Sequence, residues 1–76
     1  MRLKISEVNF TSKFDWLFKL IDEKENNYYI MNELFYKVHN YKSPITKNEL
    51  DYYDKGLWIT ALVKEIDQKK IVIEIL

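Results

Sequence analysis

The sequence predicts a mostly β domain with one short helix, a small five-stranded barrel in the order β-β-β-α-β-β. Three observations predict it. The chain has 76 residues, no cysteine and one histidine, so its core must come from side chains alone, without disulfide or cysteine-based metal staples. Hydrophobic residues make up 47% of it, and four Phe, six Tyr and two Trp supply bulk enough to fill a small interior. Short apolar runs alternate with polar clusters at strand-and-turn spacing, interrupted once by a helix signal. Residues 1–76 are read as one domain.

Residues 2–10 read as the first strand. Leu3 and Ile5 share one parity and Val8 and Phe10 the other, so a bulge is expected near Ser6 and Glu7, bending the strand as a barrel requires. Thr11, Ser12 and Lys13 read as a turn. Residues 14–22 read as a second strand with Phe14, Trp16, Phe18 and Leu20 on one face and Leu17 and Ile21 on the other. A polar connection follows, in which Asn26 and Asn27 tolerate left-handed backbone, and residues 28–31 return as a third strand. Met31, Leu34, Phe35 and Val38 are spaced i, i+3, i+4, i+7, so residues 31–38 read as a short helical turn or an irregular continuation of the strand. Residues 39–45 are a loop.

The helix signal lies at 46–54. Thr46 and Glu49 have the spacing of a capping box, Ile45 and Leu50 that of a hydrophobic staple, and Gly56 is placed to end the helix in left-handed geometry. Residues 57–66 form the fourth strand, with Ile59, Ala61 and Val63 on one face and Trp58 on the other. Asp67 to Lys70 turn the chain. In the fifth strand Ile71, Ile73 and Ile75 alternate with Val72 and Glu74.

A helix between the third and fourth of five strands is the element order of OB-folds. The closing segment also resembles the S-one-type RNA-binding branch of that fold, in which a glycine precedes a strand with a valine, then isoleucine-aspartate, a turn and a last aliphatic strand. The matching residues are Gly56, Val63, Ile66-Asp67 and Ile71. The resemblance implies an OB-like barrel whose second and third strands bind single-stranded RNA or DNA. On those strands it implies a nucleic-acid site of Trp16, Phe18, Tyr28 and Tyr29 for stacking, with Lys13 and Lys19 for phosphates. The chain departs from the pattern in having no glycine before Gly56.

Chemistry beyond binding finds little support. With one glycine there is no glycine-rich phosphate loop, and with no cysteine there is no thiol nucleophile. His39 lies in a polar loop without an evident partner, and Glu49, Asp51 and Asp54 suit the start of a helix and its dipole. The reading is a non-catalytic binding module without cofactor or metal. The 12 basic and 12 acidic residues interleave, so neither a strongly cationic face nor an anionic mimic of DNA is expected. The rival reading is a protein-interaction module: an adaptor, an assembly subunit or a small phage-type inhibitor of a host protein. Its contacts would be Trp58, outward if Ile59 faces the core, and Ile73 and Ile75 on a last strand whose open edge offers a route to a homo-oligomer. The N-terminal segment lacks the apolar stretch of a signal peptide and no run is long enough to span a membrane, so the expectation is a cytoplasmic protein with no membrane partner.

Overall fold

In the computed structural model, which describes residues 1–11 and 13–76, the alternating runs build a hydrogen-bonded ring. Its strands are β1 (Arg2–Val8), β2 (Trp16–Ile21), β3 (Asn27–Met31), β4 (Trp58–Ile66) and β5 (Lys69–Ile75). Between β3 and β4 lie a helix, α1 (Glu33–Val38), and a 3₁₀ turn (Lys47–Tyr52). The predicted turn at residues 11–13 includes Ser12, which lies outside the described residues. Around the ring the order is β1-β2-β3-β5-β4, and β4 returns to β1 through Arg2↔Thr60, Leu3↔Ile59 and Lys4↔Trp58. Every pairing is antiparallel except β3 with β5, which meet in parallel at Tyr29↔Ile71. The sheet is therefore mixed, mostly β, and closed.

The last strand is not an open edge. β5 pairs along its length with β4 and meets β3 on its other side at Ile71, so it is part of the ring and not a strand with a wholly free edge. Ile71 and Val72 are both fully buried, on opposite faces, and an almost unbroken aliphatic run is what a strand covered on both sides requires. A two-residue turn makes the β4–β5 hairpin: Asp67 and Gln68 both have positive φ, 51° and 66°, as type I′ geometry demands.

Two cores result. The ring interior holds Leu3, Ile5, Phe18, Leu20, Tyr28, Ile30, Ile45, Ile59, Ala61 and Val72. A smaller cluster outside it gathers Met31, Tyr36 and Ile71, with Trp16, Tyr29, Phe35, Tyr41 and Ile66 against them. The second cluster arises because β2 bulges. Its register against β3 slips between Trp16 and Phe18, so Leu17 and Phe18 both turn to the interior and Trp16 falls outside. Phe14, Trp16, Phe18 and Leu20 therefore do not share a face. The bulge expected in β1 lies where its register shifts, between Ile5 and Glu7.

Residues 33–38 are helical, capped by Asn32, whose Oδ1 accepts the Phe35 N–H at 3.0 Å. The buried side is not the predicted stripe. Leu34 and Val38 are 66% and 69% exposed, while Tyr36 is fully buried. The Tyr36 hydroxyl accepts the Met31 N–H (3.2 Å) and donates to the Val72 carbonyl (2.5 Å). It thus bridges β3 and β5 where their short parallel ladder ends, and a six-residue helix needs such an anchor to hold its place.

The 46–54 signal yields a 3₁₀ turn with Glu49 accepting the Thr46 N–H at 3.4 Å, and Ile45 and Leu50 packing on the ring interior. Gly56 does not cap it. It takes the third position of a separate turn, Asp54 to Leu57, closed by Leu57 N–H to the Asp54 carbonyl at 3.1 Å, with φ of 93°. Left-handed backbone in the β2–β3 connection falls on Glu25 (φ 64°), not on Asn26 or Asn27. The connection is a tight hairpin in which the Glu25 N–H reaches the Asp22 carbonyl and the Asp22 N–H reaches Asn26.

Candidate functional site

The bulge at Leu17 assembles the most distinctive surface. It turns Trp16 onto the outer face of the sheet beside Tyr29, with ring centroids 6.1 Å apart and planes tilted by 52°. Phe14, in the loop before β2, stacks on Trp16 at 5.5 Å with 14° between planes, and remains 49% exposed. Trp16 and Tyr29 are half-buried against the outer cluster, which fixes their ring orientations before any ligand arrives. The Lys13 ammonium lies 5.5 Å from the centre of the Phe14 ring. Lys19, opposite Tyr29 in the β2–β3 register, holds a loose ion pair with Glu7 at 4.0 Å. The arrangement is a short ladder of aromatic faces with one cation at its outer end and another at its inner end. Aromatic faces beside cations are the chemistry on which planar, anionic groups can stack.

Two expected members of this site lie elsewhere. Phe18 is fully buried, enclosed edge-on by Phe10 (5.5 Å) and Tyr53 (6.2 Å), so no base can stack on it. Tyr28 is 3% exposed and faces the ring interior. Its hydroxyl donates to the Asp22 carboxylate at 2.8 Å, and burial, reinforced by that carboxylate, pushes its pKa up. The role of both is structural. The Asp22 carboxylate also accepts the N–H groups of Lys24 (2.8 Å) and Asn26 (2.9 Å) and the Asn26 side-chain amide (3.0 Å). These bonds, the one from the Asn26 side chain foremost, hold its pKa down at about 2.

Trp58 faces outward from β4 and is 40% exposed, with the Arg2 guanidinium 5.5 Å and the Lys4 ammonium 5.8 Å from its ring centre. Ile73 and Ile75 are half-buried; Ile75 packs on the ring interior, and both line a shallow groove with Lys42, Ser43 and Pro44. Along this stretch β5 is paired on its β4 side, while its pairing with β3 is confined to Ile71. His39 does have a partner: its Nε2 lies 3.5 Å from the Asp67 carboxylate, and its ring lies 4.4 Å from Phe35, tying the end of α1 to the β4–β5 turn.

Sequence reasoning placed Phe14 on the same face as Trp16 in a strand over residues 14–22 but did not name it as a site residue; Phe14 lies before β2, in the loop. It also left out Arg2 and Lys4, although their parity opposite Leu3 and Ile5 already put both on the outer face. Comparison of the chain with protein-family models, with curated proteins and with solved structures finds no match.

Proposed function

We propose that this chain is a non-catalytic binding module of OB-like order that takes single-stranded nucleic acid across the outer face of β2 and β3. The observation behind this reading is the Phe14–Trp16–Tyr29 ladder, pre-oriented by the outer cluster and flanked by Lys13 and Lys19. The ring order, with α1 and the 3₁₀ turn between β3 and β4, supports the OB-like assignment, as does the location of the ladder on the two strands that such folds use. Bases stack on the rings and phosphates approach the lysines. The test is a fluorescence titration with mixed-sequence oligonucleotides at low salt. Each of Trp16→Ala and Tyr29→Ala weakens binding by roughly 1–3 kcal/mol. With two lysines engaged, the logarithmic salt slope is shallow, about −1.4. A titration without saturable change at low salt overturns the reading.

The protein-interaction alternative has one observation of its own: Leu34 and Val38, one turn apart on α1, stand 66% and 69% exposed above Asp15. A pull-down and sizing experiment that yields neither partner nor self-assembly removes it. A cytoplasmic setting belongs to the proposal; no helix among the described residues is long and apolar enough to cross a membrane.

A further inference from the structure

We propose that the outer face of β1 and β4 is a second contact for the same strand of nucleic acid, in which Trp58 stacks a base and Arg2 and Lys4 hold the flanking phosphates. The inference rests on the function proposed above and extends it to a surface remote from the β2–β3 ladder. Three observations support it. Trp58 is not needed for the core: it is 40% exposed, belongs to neither buried cluster, and among the described residues has no aromatic ring against it. Two cations are directed to it by strand register, Lys4 directly opposite and Arg2 opposite Thr60, and both lie within 6 Å of the ring centre at 5.5 and 5.8 Å. Among the described residues neither cation has a carboxylate within ion-pair distance, whereas the one nearby acid on β1, Glu7, is engaged by Lys19.

β1 links this surface to the first site through strand pairing. On its other side Lys4 pairs with Ile21 of β2, two residues from Lys19, which faces Tyr29. From β4 to β3 by way of β1 and β2 is three of the ring's five strand steps, about 14 Å along the backbone at the usual spacing, so a strand that touches both Trp58 and Tyr29 has to wrap part of the way round the ring. Evenly interleaved charge in the sequence thus folds into a small cationic patch at Arg2 and Lys4, while Lys19 farther along is paired with Glu7. An exposed indole flanked by unpaired cations suits a ligand that is both planar and anionic better than it suits an apolar protein surface.

The experiment compares labelled oligothymidylates of about 4 and about 12 nucleotides, both within the site sizes known for single OB-folds, by fluorescence anisotropy. Trp58→Ala is expected to weaken the longer probe about 5- to 150-fold and leave the shorter one within about 2-fold. The double variant Arg2→Gln/Lys4→Gln, which keeps the indole and tests the site independently of any effect of Trp58 on folding, reduces the salt slope for the longer probe by about 1.4. Tyr29→Ala weakens both lengths. If neither variant alters the longer probe while Tyr29→Ala weakens both lengths, the second contact is overturned and the first site stands. Absence of wild-type binding to either length overturns both, as does a protein partner whose capture depends on Trp58 when no oligonucleotide binds.

Discussion

Replacing Tyr36 by Phe removes one oxygen atom and leaves two backbone groups without partners. The hydroxyl accepts the Met31 N–H and donates to the Val72 carbonyl, and the residue is fully buried, so water has no route to replace it. Each orphaned buried group costs about 1–3 kcal/mol, which puts the substitution at about 2–6 kcal/mol. A chain of this length is held by roughly 4–11 kcal/mol in total. Tyr36→Phe should therefore remove about a fifth of the stability or more and lower Tm by about 10 °C or more. Urea unfolding followed by far-UV circular dichroism measures the loss, with an unchanged slope showing that the unfolded state is not the cause. Tyr28→Phe is the control. Its hydroxyl bonds a solvent-accessible carboxylate that water can serve instead, and its cost should stay near the ordinary hydrogen-bond value of about 1 kcal/mol. A Tyr36→Phe variant within about 0.5 kcal/mol of wild type would refute the bridge as an energetic element, as would equal costs at the two positions. Titration gives an independent check. Burial raises the Tyr36 pKa above the ordinary 10.0, so its contribution is complete below that value and falls as pH rises beyond it. The Phe variant should show a flatter alkaline decline.

Asp22 gives the opposite pH dependence. Its folded pKa is lowered from 3.8 to about 2, so its contribution is present above the unfolded value and is lost as pH falls from about 4 towards 2; Asp22→Asn should flatten the acid limb of a stability–pH curve. Glu25 has φ of 64°, where a side chain costs about 1–2 kcal/mol and glycine returns about half of that as entropy. Glu25→Gly should thus raise stability by about 0.5–1 kcal/mol in a thermal melt. Gln68→Gly, at the second position of the β4–β5 turn, should act in the same direction, since that turn favours glycine there. Neither glycine variant should alter oligonucleotide binding, because both positions lie outside the aromatic ladder.

The five strands and most of their positions were legible in the sequence because period-two alternation dominates β1, β3 and β4. Ile59, Ala61 and Val63 on one face with Trp58 opposite is the clearest instance, and the structure has that arrangement. The main failure has a simple cause: alternation says nothing about where it is interrupted. A single bulge at Leu17 separates Trp16 from Phe18, sending one to the surface and the other to the interior, and no residue there announces it, since neither glycine nor proline is present. Left-handed backbone was equally hard to locate. It falls on Glu25 and Gln68, which lack the local preference of glycine or asparagine and are held there by strand pairing on either side. The outer face of α1 misled for a different reason. Its anchor is the hydroxyl of Tyr36 as much as its ring, so a purely apolar stripe picked the wrong residues.

The insertion of β5 between β3 and β4 has a consequence for the order in which the protein can form. The meander from β1 to β3 is local and can assemble as soon as it leaves the ribosome. The ring cannot close then, because the strand that joins β3 to β4 is made last. Until it arrives, β3 and β1 each present an unpaired edge, and the Tyr36 hydroxyl has no Val72 carbonyl to meet. The nascent chain therefore passes through a stage that exposes more strand edge than the finished ring does. Interruption of synthesis or cleavage before residue 69 would make that stage permanent, and with it a hazard of self-association that closure of the ring reduces.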